Sequence, residues 1–198
     1  MYGILNGTTV IAKFVAPLSV KSNVPVFVSD ALSLKRTVTK RNAQRWEIST
    51  NLEPLSVGAN DLFALLVNKG ASEVLTIQMP QNYGVIKKRV STASPNVDGL
   101  LGATNVNVSL NNGLIPAGTF IRFSNHSKIY MVTADFNQTA GIMSIFPGLL
   151  IAVPVGQTFK HQDDVEMLCR FDTDVVIGMQ YTDGILMDVG TVNLIEAL

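Results

Sequence analysis

The chain is short of charge, of cysteine and of any catalytic signature. Of its 198 residues only 15% are Asp, Glu, Lys or Arg, against about 25% in an ordinary soluble domain. Asn, Ser, Thr and Gly supply much of the polarity instead. Fifteen basic residues balance fifteen acidic ones. There is thus no positive surplus to neutralise phosphates, and sequence-specific nucleic-acid binding is not expected. The two basic clusters, "KRTVTKR" at 35–41 and "KKR" at 87–89, are short enough to be solvated faces. A surface so poor in charge predicts contact with other subunits, because interface cores are depleted in charged residues.

Cys169 is alone, which excludes an intrachain disulfide. Its setting, "VEMLCRF", predicts a small buried hydrophobe rather than a nucleophile. No apolar run reaches the roughly 18 residues of a membrane span. The opening "MYGILNGTTVIAKF" lacks the basic flank and long apolar core of a signal peptide. A soluble chain made in a reducing cytoplasm is the expectation. The four Asn-x-Ser/Thr sites at Asn6, Asn107, Asn125 and Asn137 carry no weight without a secretion signal.

Catalytic and cofactor motifs are missing as well. There is no Gly-x-Ser-x-Gly, no P-loop and no Gly-x-Gly-x-x-Gly. His126 and His161 read as solvated turn residues, and two His with one Cys fall short of a typical zinc set. Asp163 and Asp164 are adjacent and on a strand would point to opposite faces. Asp172 and Asp174 flank a bend, where Asp is a common turn residue. These residues give no convergent constellation, so no enzyme, no metal, no cofactor and no catalytic residue is expected.

What is present is alternation. "VPVFVS" (24–29), "RWEIST" (45–50) and "EVLTIQM" (73–79) read as strands, with Trp46 and Ile48 on one face of the second. One helix is predicted over 60–70. It has a cap-type Asn60, an acidic Asp61 and a closing Gly70. Leu62, Leu65 and Leu66 should face a sheet, with Phe63 and Val67 widening the apolar stripe. Residues 91–105, with Pro95, Gly99 and Gly102, read as a linker. Four strand candidates follow, "NVNVSL", "TFIRFS", "KIYMVT" and "IMSIF", and "VPVGQTFKHQDD" (153–164) closes the module, which is small enough for a five-stranded barrel of OB type in which Val106, Val108 and Leu110 point inward. "VEMLCRF", "DVVIGMQYT", "ILMDVG" and "TVNLIEAL" restart long strands. The predicted organisation is an outer β-domain with one helix from residues 1–90 plus 166–198. A β-module of residues 91–165 is inserted in it and should fold alone.

Taken in order, these segments resemble the distal tail proteins of long-tailed bacteriophages, also described as baseplate hub proteins, in their two-domain form. The resemblance runs from about residue 40 to the end. It rests on Trp46, the polar loop 51–59, the helix, and Pro80-Gln81. In the module it rests on Ala117-Gly118, His126, Lys128, Tyr130 and Phe146-Pro147, and at the end on "VNLIEAL". It implies a split barrel or sandwich resembling a tail-tube subunit, carrying an inserted OB-like barrel. It also implies a homohexameric ring joining the tail tube to the distal tip or baseplate hub in the virion. Tail tube and tip or hub proteins would be its neighbours, and DNA would pass through the lumen without being gripped. Two other readings remain open. A carbohydrate-binding module would need Phe120, Phe123, Tyr130, Phe136 or Phe146 as a stacking platform. A tail tube subunit would form similar rings in many copies.

Overall fold

Residues 45–54 alternate between core and surface, and the strand they form organises the first half of the structure. The protein is described by a computed structural model covering residues 2–40, 43–55, 59–69, 73–81, 96–111, 113–172, 180–182, 185–188 and 190–198. Strands β1 (Gly3–Asn6) and β2 (Thr9–Asn23) open the chain. β3 (Val26–Asp30), β4 (Arg36–Lys40) and β5 (Arg45–Pro54) follow, then helix α1 (Ala59–Lys69) and β6 (Leu75–Gln78). β7 (Asn96–Gly99), β8 (Asn105–Ser109), β9 (Phe120–Phe123), β10 (Ile129–Val132), β11 (Gly141–Phe146) and β12 (Val153–Lys160) form a consecutive set. β13 (Glu166–Phe171), β14 (Gln180–Thr182), β15 (Ile185–Asp188) and β16 (Thr191–Glu196) end the chain.

Among the described residues the architecture is mainly β, with one short helix and two closed six-stranded barrels. Barrel one runs β1-β2-β5-β16-β13-β6 and closes through the β6–β1 pair. It is therefore built from both ends of the chain. Trp46, Ile48 and Leu52 point into it from β5, Ile77 from β6, Cys169 from β13 and Leu194 from β16. β2 pairs with β5 along two stretches, and the register shifts between Val15 and Ser19. Pro17 lies inside that irregularity, where its missing N–H costs no ladder bond.

Barrel two runs β10-β11-β8-β7-β12-β9. It has six strands where five were expected. The extra one, β7, lies in the stretch that reads as a linker because Gly99 and Gly102 mask a short ladder: Val97 pairs with Val108 and Gln157 with Val97. Val106 and Val108 point inward as expected. Leu110 does not: it is exposed, with φ at +62°, because the strand has already ended at Ser109.

The barrels, being closed, present no unpaired sheet edge that a neighbour would have to cover. Among the described residues, free edges belong to two separate hairpins, β3–β4 and β14–β15. The β3–β4 hairpin forms an arm: every residue from 25 to 39 is exposed. The basic run 35–41 thus supplies β4 of this arm, Arg41 lying outside the described residues.

Helix α1 buries Leu62 completely in the core of barrel one, and Leu65 packs on its edge. Phe63 and Val67 face outward instead of widening the stripe; the side chain of Leu66 lies outside the described residues. Leu62→Ala is expected to cost about 2–5 kcal/mol, the range for buried leucines. Urea unfolding measures this directly, and an unchanged midpoint would mean the helix adds nothing to the core.

Candidate functional site: the seam between the barrels

The β9–β10 hairpin explains how the two barrels meet. Its register pairs Ile121 with Tyr130, and on the opposite face Arg122 with Ile129 and Phe120 with Met131. The first face, with Phe123, fills barrel two. The second packs on barrel one: Ile129 belongs to that core, and Phe120, Met131 and Phe146 lie against it. Strand alternation, which usually separates core from solvent, here separates one core from another.

Trp46 is the centre of this contact. Phe120 and Phe146 meet its ring edge-on, at centroid distances of 5.1 and 6.4 Å. Its indole Nε1 donates to the Ile129 carbonyl at 2.9 Å. From the last strand, Glu196 reaches in beneath it. One carboxylate oxygen accepts from the Ile129 N–H at 2.8 Å; the other accepts from the Trp46 N–H at 3.1 Å and from Lys128 Nζ. Lys128 Nζ donates in addition to the Gln44 carbonyl at 2.9 Å and to Gln44 Oε1 at 2.6 Å. Both charged side chains are almost wholly buried. Burial lowers the Lys128 pKa, and the Glu196 charge opposes that shift. Three acceptors and no donor surround Nζ, an arrangement that requires all three N–H bonds of an ammonium. Its donors are committed, so it is a tie rather than a reactive amine.

Two further clamps flank the tie. The buried Gln81 amide donates to the Phe120 carbonyl at 2.8 Å and accepts from its N–H at 3.1 Å, much as a paired strand would. Arg122 donates to the Glu166 carbonyl at 3.2 Å and lies 3.6 Å from its carboxylate, which Lys160 also approaches at 3.7 Å.

The histidines depart from expectation. His126 is half-buried, not solvated. Its Nδ1 pairs with Asn125 Oδ1 at 2.8 Å and its Nε2 with the Tyr130 hydroxyl at 2.8 Å. Asn125 Oδ1 can only accept, so Nδ1 carries a proton; in the neutral ring Nε2 then accepts from the Tyr130 hydroxyl. Tyr130 Oη accepts in turn from the Leu150 N–H. Desolvation, then the charges of Arg122 and Lys128, lower the His126 pKa below its usual 6.5; burial raises that of Tyr130 to about 12. His161 is buried against the ring of Phe159, not solvated in a turn. The sign for His126 follows from linkage. The folded form binds its proton less readily than the unfolded form, so stability falls as pH drops through about 6.5 toward the folded-state pKa. His126→Gln should flatten that part of the stability–pH curve; an identical slope in the variant would assign the dependence elsewhere.

The other candidates do not converge. Asp163 accepts from the Tyr2 hydroxyl and Asp164 from the Gln162 N–H, both in an exposed turn. Asp172 is exposed, and Asp174 lies outside the described residues. Burial pushes the Cys169 thiol up to about 12, which leaves it unreactive. Among the described residues no group of three or more His, Cys, Asp and Glu could hold a metal ion, and no helix is long and apolar enough to cross a membrane.

A cavity of about 410 Å³ opens beside the seam. Pro25, Pro147, Leu150 and Leu198 wall it, and Gln44 and Lys128 lie at its polar side. A second, of about 320 Å³, lies on the outer face of barrel two near Asp98, Asn107, Ile142 and Val155. No aromatic ring lines it.

No protein-family model matches the chain, and comparison with curated proteins finds no match.

Proposed function

We infer that the chain is a structural protein of a phage tail tip. Copies of it would form a hexameric ring that joins the tail tube to the distal tip or baseplate hub, with barrel one, the tail-tube-like part, building the ring and barrel two on its periphery. One observation carries this reading. The residues on which the family resemblance rests are scattered from position 46 to position 196, yet Trp46, Gln81, Lys128, Phe146 and Glu196 meet in a single seam. Motifs matched by chance have no reason to converge. A joint riveted this way suits a part that holds two modules in a fixed orientation. The ionisable groups of the seam are tied to one another, which accords with a structural role.

The carbohydrate reading loses its platform. Phe123, Tyr130 and Phe136 are buried in the core of barrel two, and Phe120 and Phe146 pack under Trp46. Three of the five are thus buried, and the two half-buried rings are engaged with Trp46. Electron microscopy of the purified protein and of virions tests the proposal. The expected result is six-fold rings with a central hole, one per virion at the distal end of the tail. Many rings per virion would make it a tail tube subunit. A position in the capsid or in fibres, or a symmetry other than six- or three-fold, would overturn the reading.

A further inference from the structure

The arm of residues 25–39 is at odds with ordinary surface chemistry. Leu32 is 108% and Leu34 90% exposed at its tip, and Phe27, Val28 and Val38 are open to solvent along its strands. Register puts Val28 opposite Val38 on one face and Phe27 opposite Thr39 on the other, so neither face is purely polar. A lone two-stranded hairpin is marginal in water, and apolar surface gathered in one place marks a contact site. The arm cannot extend either barrel sheet, because both are closed. Docking on a barrel must therefore use its side chains.

The same chain carries an apolar hollow, the 410 Å³ cavity beside the seam. The segment 147–150, which lines it, is firmly held. It is tied to the loop carrying Leu100 and Leu101 by the Gly102 N–H donating to the Leu149 carbonyl at 2.7 Å. The two backbones approach so closely that a Cβ on Gly148 would lie 2.6 Å from the Gly102 carbonyl oxygen. The exposed Leu100, Leu101 and Ile151 lie on these two loops, beside Leu150. The hollow is also electrostatically quiet: Glu196 neutralises Lys128, and Glu47 lies 3.2 Å from Arg45. At the tip, Asp30 accompanies Arg36 at 3.9 Å. Apolar docking here buries no unpaired charge from these pairs.

We propose that the arm tip of one copy, Leu32 and Leu34, seats in the seam hollow of a second copy. Reach excludes the copy's own hollow. Pro25 walls the hollow and stands at the base of the arm, and five strand residues at about 3.4 Å each carry the tip roughly 17 Å away. A protruding patch and a recess at different places on one chain make a head-to-tail contact, which repeats and closes into a ring when the rotation allows. The proposal rests on the ring reading above and names the contact that closes the ring.

Complementation tests it. Leu32→Asp/Leu34→Asp disables the arm and leaves the hollow intact; Leu150→Asp does the reverse. All three positions are exposed, so circular dichroism should show unchanged folding. Each variant alone should stay monomeric at concentrations where the parent chain assembles. An equimolar mixture should give heterodimers and nothing larger, since each member retains one working half. In addition, a chain carrying Leu32→Cys and Leu150→Cys should form a disulfide ladder between copies, Cys169 being buried. Rings that persist in the arm variant overturn the docking and leave the ring reading standing. A ladder running past six copies without closure supports the docking and defeats the hexamer. Absence of both ladder and assembly overturns the two together.

Discussion

Lys128→Met should destabilise the protein by about 3–5 kcal/mol, the cost of stranding one member of a buried ion pair. The carboxylate of Glu196 has no exposure of its own, so it cannot recover in water what it loses in the ammonium. It keeps the N–H groups of Trp46 and Ile129, which hold it in place and prevent it from turning outward. Gln44 loses a donor at both its carbonyl and its side-chain oxygen. Methionine preserves much of the stem volume, so the loss reports the charge and its hydrogen bonds rather than a cavity. Urea titration gives the number. A change below about 1 kcal/mol, the level of an exposed pair, would mean that water reaches the site.

Trp46→Ala should cost about 3–5 kcal/mol, the range for a buried aromatic truncated to alanine, and should also change the shape of unfolding. The ring is shared between barrels: it packs in the core of one and receives Phe120 and Phe146 from the other. Removing it opens a void at the joint and leaves the Ile129 carbonyl without its indole donor. Two barrels with their own cores should then melt separately. Calorimetry should show one transition for the parent chain and two for the variant. A single sharp transition at a lower temperature would mean that the polar clamps alone couple the barrels. Trp46 is the only tryptophan of the chain, so its fluorescence in the parent protein reports the joint itself.

The strands with one wet face were the legible part of the fold. β5 could be read because Trp46, Ile48, Thr50 and Leu52 are buried and the residues between them are not. The hairpin of β9 and β10 was legible as a hairpin but not in its role. Periodicity reports that a strand has two faces, and says nothing about a second core replacing solvent on one of them. Nothing local marks Lys128 as a buried cation either, because its partner lies 68 positions away. The arm misleads in the opposite direction: "VPVFVS" has the composition of a core strand, yet Val26, Phe27 and Val28 are exposed. β7 was hidden by glycines that serve its turns. What remained illegible is non-local pairing, which local pattern does not encode.

The seam has a mechanical meaning. Its clamps at Glu196, Gln81, Arg122 and Trp46 bridge the same two bodies side by side rather than in series. A pull that separates the barrels is divided among them, and none can yield until its neighbours do. Such a joint is stiff up to a threshold and then parts at once. Torque applied to the outer barrel would therefore reach the other undiminished, as through a keyed shaft instead of a hinge.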